Sequence, residues 1–132
     1  LVPMVDREEV VEHSRRAFYY PPVGERSCGL QHVWGRAGIP GVREYADWWN
    51  ENGILAIQIE TVRGVRNVRN LAQPGVDLIL FGGNDLSFSL AANPGGEFAN
   101  VAECQEHVCK QVADLPVRVG VSDLPFGRFP AK

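Results

Sequence analysis

The stretch Ile54–Glu60, Ile-Leu-Ala-Ile-Gln-Ile-Glu, constrains this chain more than any other. Successive side chains of a strand point to opposite faces. Leu55, Ile57 and Ile59 therefore form one purely apolar face, suited to packing against helices. Ile54, Ala56, Gln58 and Glu60 form the other, which turns from apolar to polar toward its C-terminal end. A parallel strand that ends in a ligand site shows this gradient.

The flanking segments repeat the same theme. Leu1–Val5 reads as a short apolar strand, followed by a helix start in which Asp6 and Glu9 have capping-box spacing. Val10, Val11, Ser14, Ala17 and Phe18 line one face of that helix, and Pro21-Pro22 stops it. Residues 21–41 form a glycine- and proline-rich loop, long enough to suggest a function. Val42, Tyr45, Ala46 and Trp49 recur at helical spacing up to Asn52-Gly53. After the central strand come a helix marked by Val62, Val65, Val68 and Ala72, a strand over Val76–Gly82, and a short Leu86–Leu90 segment. Asn100 and Glu103 make a second capping arrangement ahead of the stripe Val101, Cys104, Val108 and Val112, and Pro116–Val121 reads as a fourth strand. Strand and helix alternate throughout, which predicts an α/β fold of about four parallel strands. Such a set is an open sheet or half of a (β/α)₈ barrel, which typically needs about 250 residues.

Bulk properties narrow the function classes. The 132 residues fit one domain, and a net charge of −3 without a basic stripe gives nucleic acid no footing. The apolar runs Ile54–Ile57 and Leu78–Phe81 are too short to span a bilayer. Cys28, Cys104 and Cys109 are odd in number and follow neither a disulfide nor a zinc pattern, so they read as small apolar fillers in a reducing cytoplasm. Leu1 lies inside an apolar run without an initiator Met, so the expectation is a segment cut from a larger domain.

Chemistry in parallel α/β folds belongs beyond the carboxyl ends of the strands. Glu60 ends one strand and Asp85 follows the next. Adjacent strands lie roughly 5 Å apart, close enough for two such carboxylates to share one cation. Oxygen ligands suit Mg²⁺ or Mn²⁺. Each residue also has a plainer reading: Glu60 as an acceptor for the first turn of the next helix, Asp85 as the N-cap of the Leu86–Leu90 segment. Gly82-Gly83-Asn84-Asp85 reads as a strand-to-loop turn or as a backbone cradle for an anion. His13 and His107 fall on helices among charges and read as solvated, while His32 lies in the long loop. Trp34, Trp48 and Trp49 read as packing residues, and the serines lie in no nucleophile-elbow context.

Four motifs, in order, resemble one family: Val2-Pro3-Met4-Val5, Tyr20-Pro21-Pro22-Val23-Gly24-Glu25-Arg26, Gln58-Ile59-Glu60-Thr61, and Gly75-Val76-Asp77 through Asn84-Asp85-Leu86-Ser87. The chain is similar to the HpcH/HpaI aldolases, barrels of the pyruvate/phosphoenolpyruvate type. The resemblance implies a single partial (β/α)₈ domain over residues 1–132, the central to C-terminal half of such a barrel. It implies a class II, divalent-metal-dependent aldolase that cleaves 4-hydroxy-2-oxo acids to pyruvate or a related 2-oxo acid plus an aldehyde. Glu60 and Asp85 take the family's metal-ligand positions. Gln58 orients a ligand or the substrate, and amides around Gly83, Asn84 and Asp85 meet the substrate carboxylate.

The same resemblance exposes departures. The family's base, a histidine in an Asp-Gly-Glu-His-like context, and its substrate-binding arginine belong to an earlier half, and neither motif occurs in this sequence. Arg26-Ser27-Cys28-Gly29 stands where Arg-Gly is usual, and Asn84 where Ala is common. Two alternatives follow: a non-catalytic remnant or fragment that keeps the metal site, and a citrate-lyase-like enzyme using Arg26, Arg36 and Arg43 on an acyl-CoA ester. Half a barrel leaves open sheet edges, so the expectation is a partner segment, oligomer contacts or a larger protein of which this is part, the full-length protein being a homo-oligomer.

Overall fold

The computed structural model describes residues 1–29, 38, 39 and 41–120. His32, Trp34, Arg36, Val121 and the proline-rich C-terminal run lie outside the described residues. The elements are α1 (Glu8–Phe18), α2 (Val42–Asn52), β1 (Ala56–Ile59), α3 (Val62–Leu71), β2 (Leu78–Phe81), α4 (Gly83–Ala91), α5 (Val101–Gln111) and β3 (Arg118–Gly120).

The strands run parallel in the order β1-β2-β3, with Ala56 opposite Leu78 and Leu78 opposite Arg118. The expected first strand contracts to one parallel bridge, Val2 to Ile57. It still holds the free edge of β1: Val2 N–H donates to Ala56 O at 2.8 Å, Gln58 N–H to Val2 O at 2.8 Å, and Val5 N–H to Gln58 O at 3.1 Å. Met4 interrupts pairing because its φ is 55°, in the left-handed region that a side chain disfavours. Four parallel chain segments with helices between them make a partial (β/α)₈ barrel, as expected.

The alternation within β1 decides where the core lies. Leu55, Ile57 and Ile59 are fully buried, and Ile79 of β2 joins them. Against this face pack Val11 of α1, Val65, Val68 and Leu71 of α3, Leu86 of α4, and Cys104 and Val108 of α5. Each large aliphatic side chain buried this way contributes about 1.5–3 kcal/mol. The opposite sheet face is thinly covered: Gln58, Leu78 and Leu80 are half-buried and Arg118 is exposed. That face is the interior side of the barrel. A small second cluster, Tyr20, Tyr45 and Ala46, seats α2 against the chain after α1.

Several local expectations need correction. Asp6 does not cap α1; the N-cap is Arg7, without a side-chain bond. The Asp6 carboxylate instead pairs with Arg7 and Arg63 at 3.4 Å each, because two guanidinium groups reach it. Ala17 faces solvent rather than the core, since α1 buries a narrower stripe than its composition suggests. Cys104 is a core filler, but Cys28 and Cys109 are exposed. The short Leu86–Leu90 segment is a full helix that starts at Gly83. The Asn100 cap holds: its Oδ1 accepts from Glu103 N–H at 3.0 Å, and Glu103 returns a bond to Ala99 N–H at 2.8 Å.

The end of α3 is tied to the turn after α5 by Arg69, which donates to Asp114 at 2.6 and 2.8 Å and to Gln111 O at 2.7 Å. The Arg69 hydrogen bond holds the Asp114 carboxyl down to about 2, against an ordinary 3.8. A carboxyl depressed in the folded state stabilises above its ordinary value and loses that contribution as pH falls through the folded value. Urea melts of the wild type and Asp114→Asn should therefore differ by a constant margin above pH 4. The curves should converge as pH falls through about 2.

Candidate metal centre

Glu60 follows β1 immediately and is the one charged residue buried among the described residues, at 6% exposure. Its alternation with Ile59 turns it away from the helices, onto the interior side of the sheet. The Oε2 atom accepts a hydrogen bond from Met4 N–H at 2.6 Å. This bond accounts for the unusual backbone at Met4, which aims its amide across the strand ends. Oε1 accepts no hydrogen bond among the described residues, and no described cation pairs with the carboxylate. A carboxylate taken out of water with one oxygen unsatisfied costs on the order of several kcal/mol unless a cation or donor reaches it.

Gly82, at the end of β2, makes room for this carboxylate. A methyl group at Gly82 would overlap Oε1 and lie 2.6 Å from Glu60 Cγ and 2.7 Å from Cδ. The absent side chain therefore forms one wall of the Glu60 cradle. Gly83 differs, because a methyl there would meet nothing within 4 Å. The space above Gly83 is open.

Asp85 is exposed and lies in the first turn of α4, whose N-cap is Gly82. The alternative reading of Asp85 as an N-cap fails, because the helix begins two residues before it. The alternative reading of Glu60 fails too. Thr61 caps α3 by accepting from Gly64 N–H at 3.0 Å, and Val62 N–H donates to Ser89 Oγ at 3.0 Å. Two of the three free amides at the start of α3 are thus satisfied by protein groups. Those of α4 are not: no acceptor among the described residues meets the N–H groups of Gly83, Asn84 or Asp85, and the first bond is Leu86 N–H to Gly82 O at 2.9 Å. An unsatisfied helix start carries partial positive charge. Gln58 lies one alternation before Glu60 on the same strand face and is half-buried.

The other singled-out residues lie elsewhere. His13 is exposed, and His107 is half-buried with its ring edge-on to Phe98 at 5.0 Å. Trp49 is a packing residue, donating from Nε1 to Phe18 O at 2.9 Å. Arg26 lies over the Trp49 and Tyr20 rings at 4.2 and 5.1 Å, and Arg43 pairs with Asp47 on its own helix at 3.1 Å. Among the described residues no group of three or more His, Cys, Asp or Glu side chains assembles, so the described residues offer a cation here two carboxylates at most. Sequence reasoning missed Met4, Thr61 and Ser89. Thr61 directly before an apolar helical stripe is a visible capping signal. A backbone amide such as that of Met4 leaves no signal at all.

Residues 1–118 match the HpcH/HpaI aldolase/citrate lyase family. The chain belongs to that family. It is 33% identical over 110 residues to 5-keto-4-deoxy-D-glucarate aldolase of Shigella boydii serotype 18, covering 82% of this chain and 42% of the relative. Among solved structures, an HpcH/HpaI aldolase from Desulfitobacterium hafniense superposes with a TM-score of 0.73 at 30% identity, over 89% of this chain and 46% of that one. The citrate synthase SbnG superposes with a TM-score of 0.71 at 28% identity, over 89% and 44%. The chain thus spans less than half the length of these HpcH/HpaI relatives.

The Gly82 contact makes a direct prediction. Gly82→Ala should displace the Glu60 carboxylate and destabilise the fold by about 1–3 kcal/mol, as overpacking does. Gly83→Ala, in open space, should cost much less, and urea denaturation of the two variants would show the difference.

Proposed function

We propose that this chain supplies the metal-binding part of a carbon–carbon lyase that cleaves 4-hydroxy-2-oxo acids to pyruvate or a related 2-oxo acid plus an aldehyde. The observation that carries this reading is the buried Glu60 carboxylate beside the N-terminus of α4, with both Oε1 and that helix start unpaired among the described residues. An all-oxygen pair of Glu60 and Asp85 fits Mg²⁺ or Mn²⁺, leaving the other positions to water and substrate. Such a cation would supply Lewis-acid stabilisation of the enolate that forms as the C3–C4 bond breaks.

The chain's own residues then have separate tasks. Glu60 and Asp85 hold two negative charges at the rim, one buried and one exposed. The amides of Gly83, Asn84 and Asp85 bind the substrate carboxylate through the partial positive charge of the helix start. Gln58, facing the barrel interior, orients a ligand or substrate oxygen from below. Proton transfer at the leaving carbon falls to a residue outside this sequence, since neither the Asp-Gly-Glu-His-like base motif nor its arginine is present. The aldolase name of the Shigella boydii relative supports an oxo-acid substrate. The acyl-CoA alternative has little to rest on, because Arg26 is stacked on aromatic rings and Arg43 is paired. The thinly covered interior sheet face supports a complement from another segment or subunit, and a homo-oligomer of the whole protein is one form that complement takes in this reading.

Calorimetric titration tests the pair. The wild-type chain should bind Mn²⁺, and Glu60→Ala should weaken that binding by more than about 100-fold, beyond the usual effect of an outer-sphere change. Retro-aldol activity of the whole protein should fall with it. If Glu60→Ala leaves both intact, the assignment is wrong. Proton exchange on pyruvate separates a working site from a metal-binding remnant: binding without exchange in the whole protein indicates the remnant.

A further inference from the structure

We infer that Ser89 is a positioning residue that sets the separation of the two site carboxylates. The inference rests on the reading of Glu60 and Asp85 as a cation pair. The two carboxylates stand on different supports. Glu60 continues a central strand, clamped by Met4 on one side and by the glycine at position 82 on the other. Asp85 rides on α4, a nine-residue helix with a single fully buried side chain, Leu86. Leu90, partly buried, is the other α4 side chain packed on the core, and two apolar anchors one turn apart on one face leave the slide of a short helix weakly determined.

The Ser89 hydroxyl supplies the missing constraint. Its Oγ accepts from Val62 N–H at 3.0 Å, from one helix to the first residue of another. Val62 lies two residues after Glu60. Ser89 lies four after Asp85, one helical turn away on the same face and about 6 Å along the axis. The bond therefore closes a short circuit: Glu60, Thr61, Val62, across to Ser89, and back one turn to Asp85. The far side of this joint is rigid as well. Gly64 lets α3 lie against the backbone of Val5, where a methyl group would come within 2.7 Å of Val5 O. Val62 N–H is a helix-start donor without an intrahelical partner, so losing Ser89 Oγ leaves it unsatisfied and frees α4 to shift. Ser87, two residues earlier, cannot substitute, because its hydroxyl donates to Gly83 O within α4 at 2.7 Å.

Mn²⁺ titration of the full chain tests this, with thermal melts run in parallel. Ser89→Ala should weaken Mn²⁺ binding about tenfold, as loss of an outer-sphere partner does. Ser89→Thr, which keeps the hydroxyl, should bind close to wild type. Tyr19→Phe is the structural control: it removes a hydroxyl bond to main chain, 2.9 Å to Gly75 O, at the opposite end of the sheet. It should lower the melting temperature and leave Mn²⁺ affinity unchanged. Unchanged affinity in Ser89→Ala, or an equal loss in Tyr19→Phe, overturns the inference. If Glu60→Ala also leaves Mn²⁺ binding intact, the cation-pair reading itself has failed, and the positioning role falls with it.

Linkage provides a second readout in unaltered protein, should Ser89→Ala not fold. If the Ser89–Val62 bond favours cation binding, then Mg²⁺ must favour the bond. Amide exchange at Val62 should slow on adding Mg²⁺. Exchange at Leu55, whose N–H donates to Asp77 Oδ2 at 2.8 Å at the other strand end, should not change. Equal response, or none, at the two amides counts against a positioning role.

Discussion

The parallel pairing of β1 with β2 is the constraint from which the rest follows. In that register Ile57 lies opposite Ile79 and Ile59 opposite Phe81, so these four apolar residues share the helix-facing side. The same register brings the end of β1 beside the end of β2. Glu60 and Gly82 are consequently neighbours, and Gly82 N–H donates to Ile59 O at 3.2 Å as the two strands part. Core and candidate site are two sides of one alternation. A slip of one residue would turn Glu60 into the helices and Ile59 into the barrel interior. The large loss of apolar burial that would result keeps the carboxylate where it is.

The two helix starts flanking this point are treated in opposite ways. Thr61 and Ser89 satisfy amides at the start of α3, while the start of α4 has only glycine at its cap and open space above Gly83. A helix end left without protein partners is either solvated or meets a ligand. Here it stands beside the only buried carboxylate among the described residues. Positive partial charge and negative full charge at one rim suit a ligand set carrying both signs, such as a cation chelated by an oxo acid.

Much of this was legible in the linear chain because its signals are local. The two-residue period over Leu55–Glu60 is strong, and Leu55, Ile57 and Ile59 join the helix-packed core while Ala56, Gln58 and Glu60 do not. The helices marked by Val65 and Val68 and by Cys104 and Val108 follow their apolar spacing. Misreadings arose where a local rule met a distant partner. Asp6 has the spacing of a cap but turns to Arg63, far along the chain. Leu1–Val5 has a strand's composition but pairs at one residue, because Met4 is turned to serve Glu60.

The linear chain was enough to set the class of fold, the buried face of the strand through Leu55, Ile57 and Ile59, and the positions of Glu60 and Asp85 after consecutive strands. Periodicity and polarity gradients carry that information within a few residues. Packing across the fold decided that Glu60 is buried with Oε1 unpaired among the described residues, that Gly82 leaves room for it, and that Ser89 rather than Asp85 serves a helix start. Each of these depends on atoms brought together from residues 22 or more apart, with Glu60 to Gly82 the nearest such pair in sequence. Neither propensity nor spacing encodes which backbone amide or missing side chain will meet a given carboxylate, because packing of the whole sheet against its helices sets that meeting.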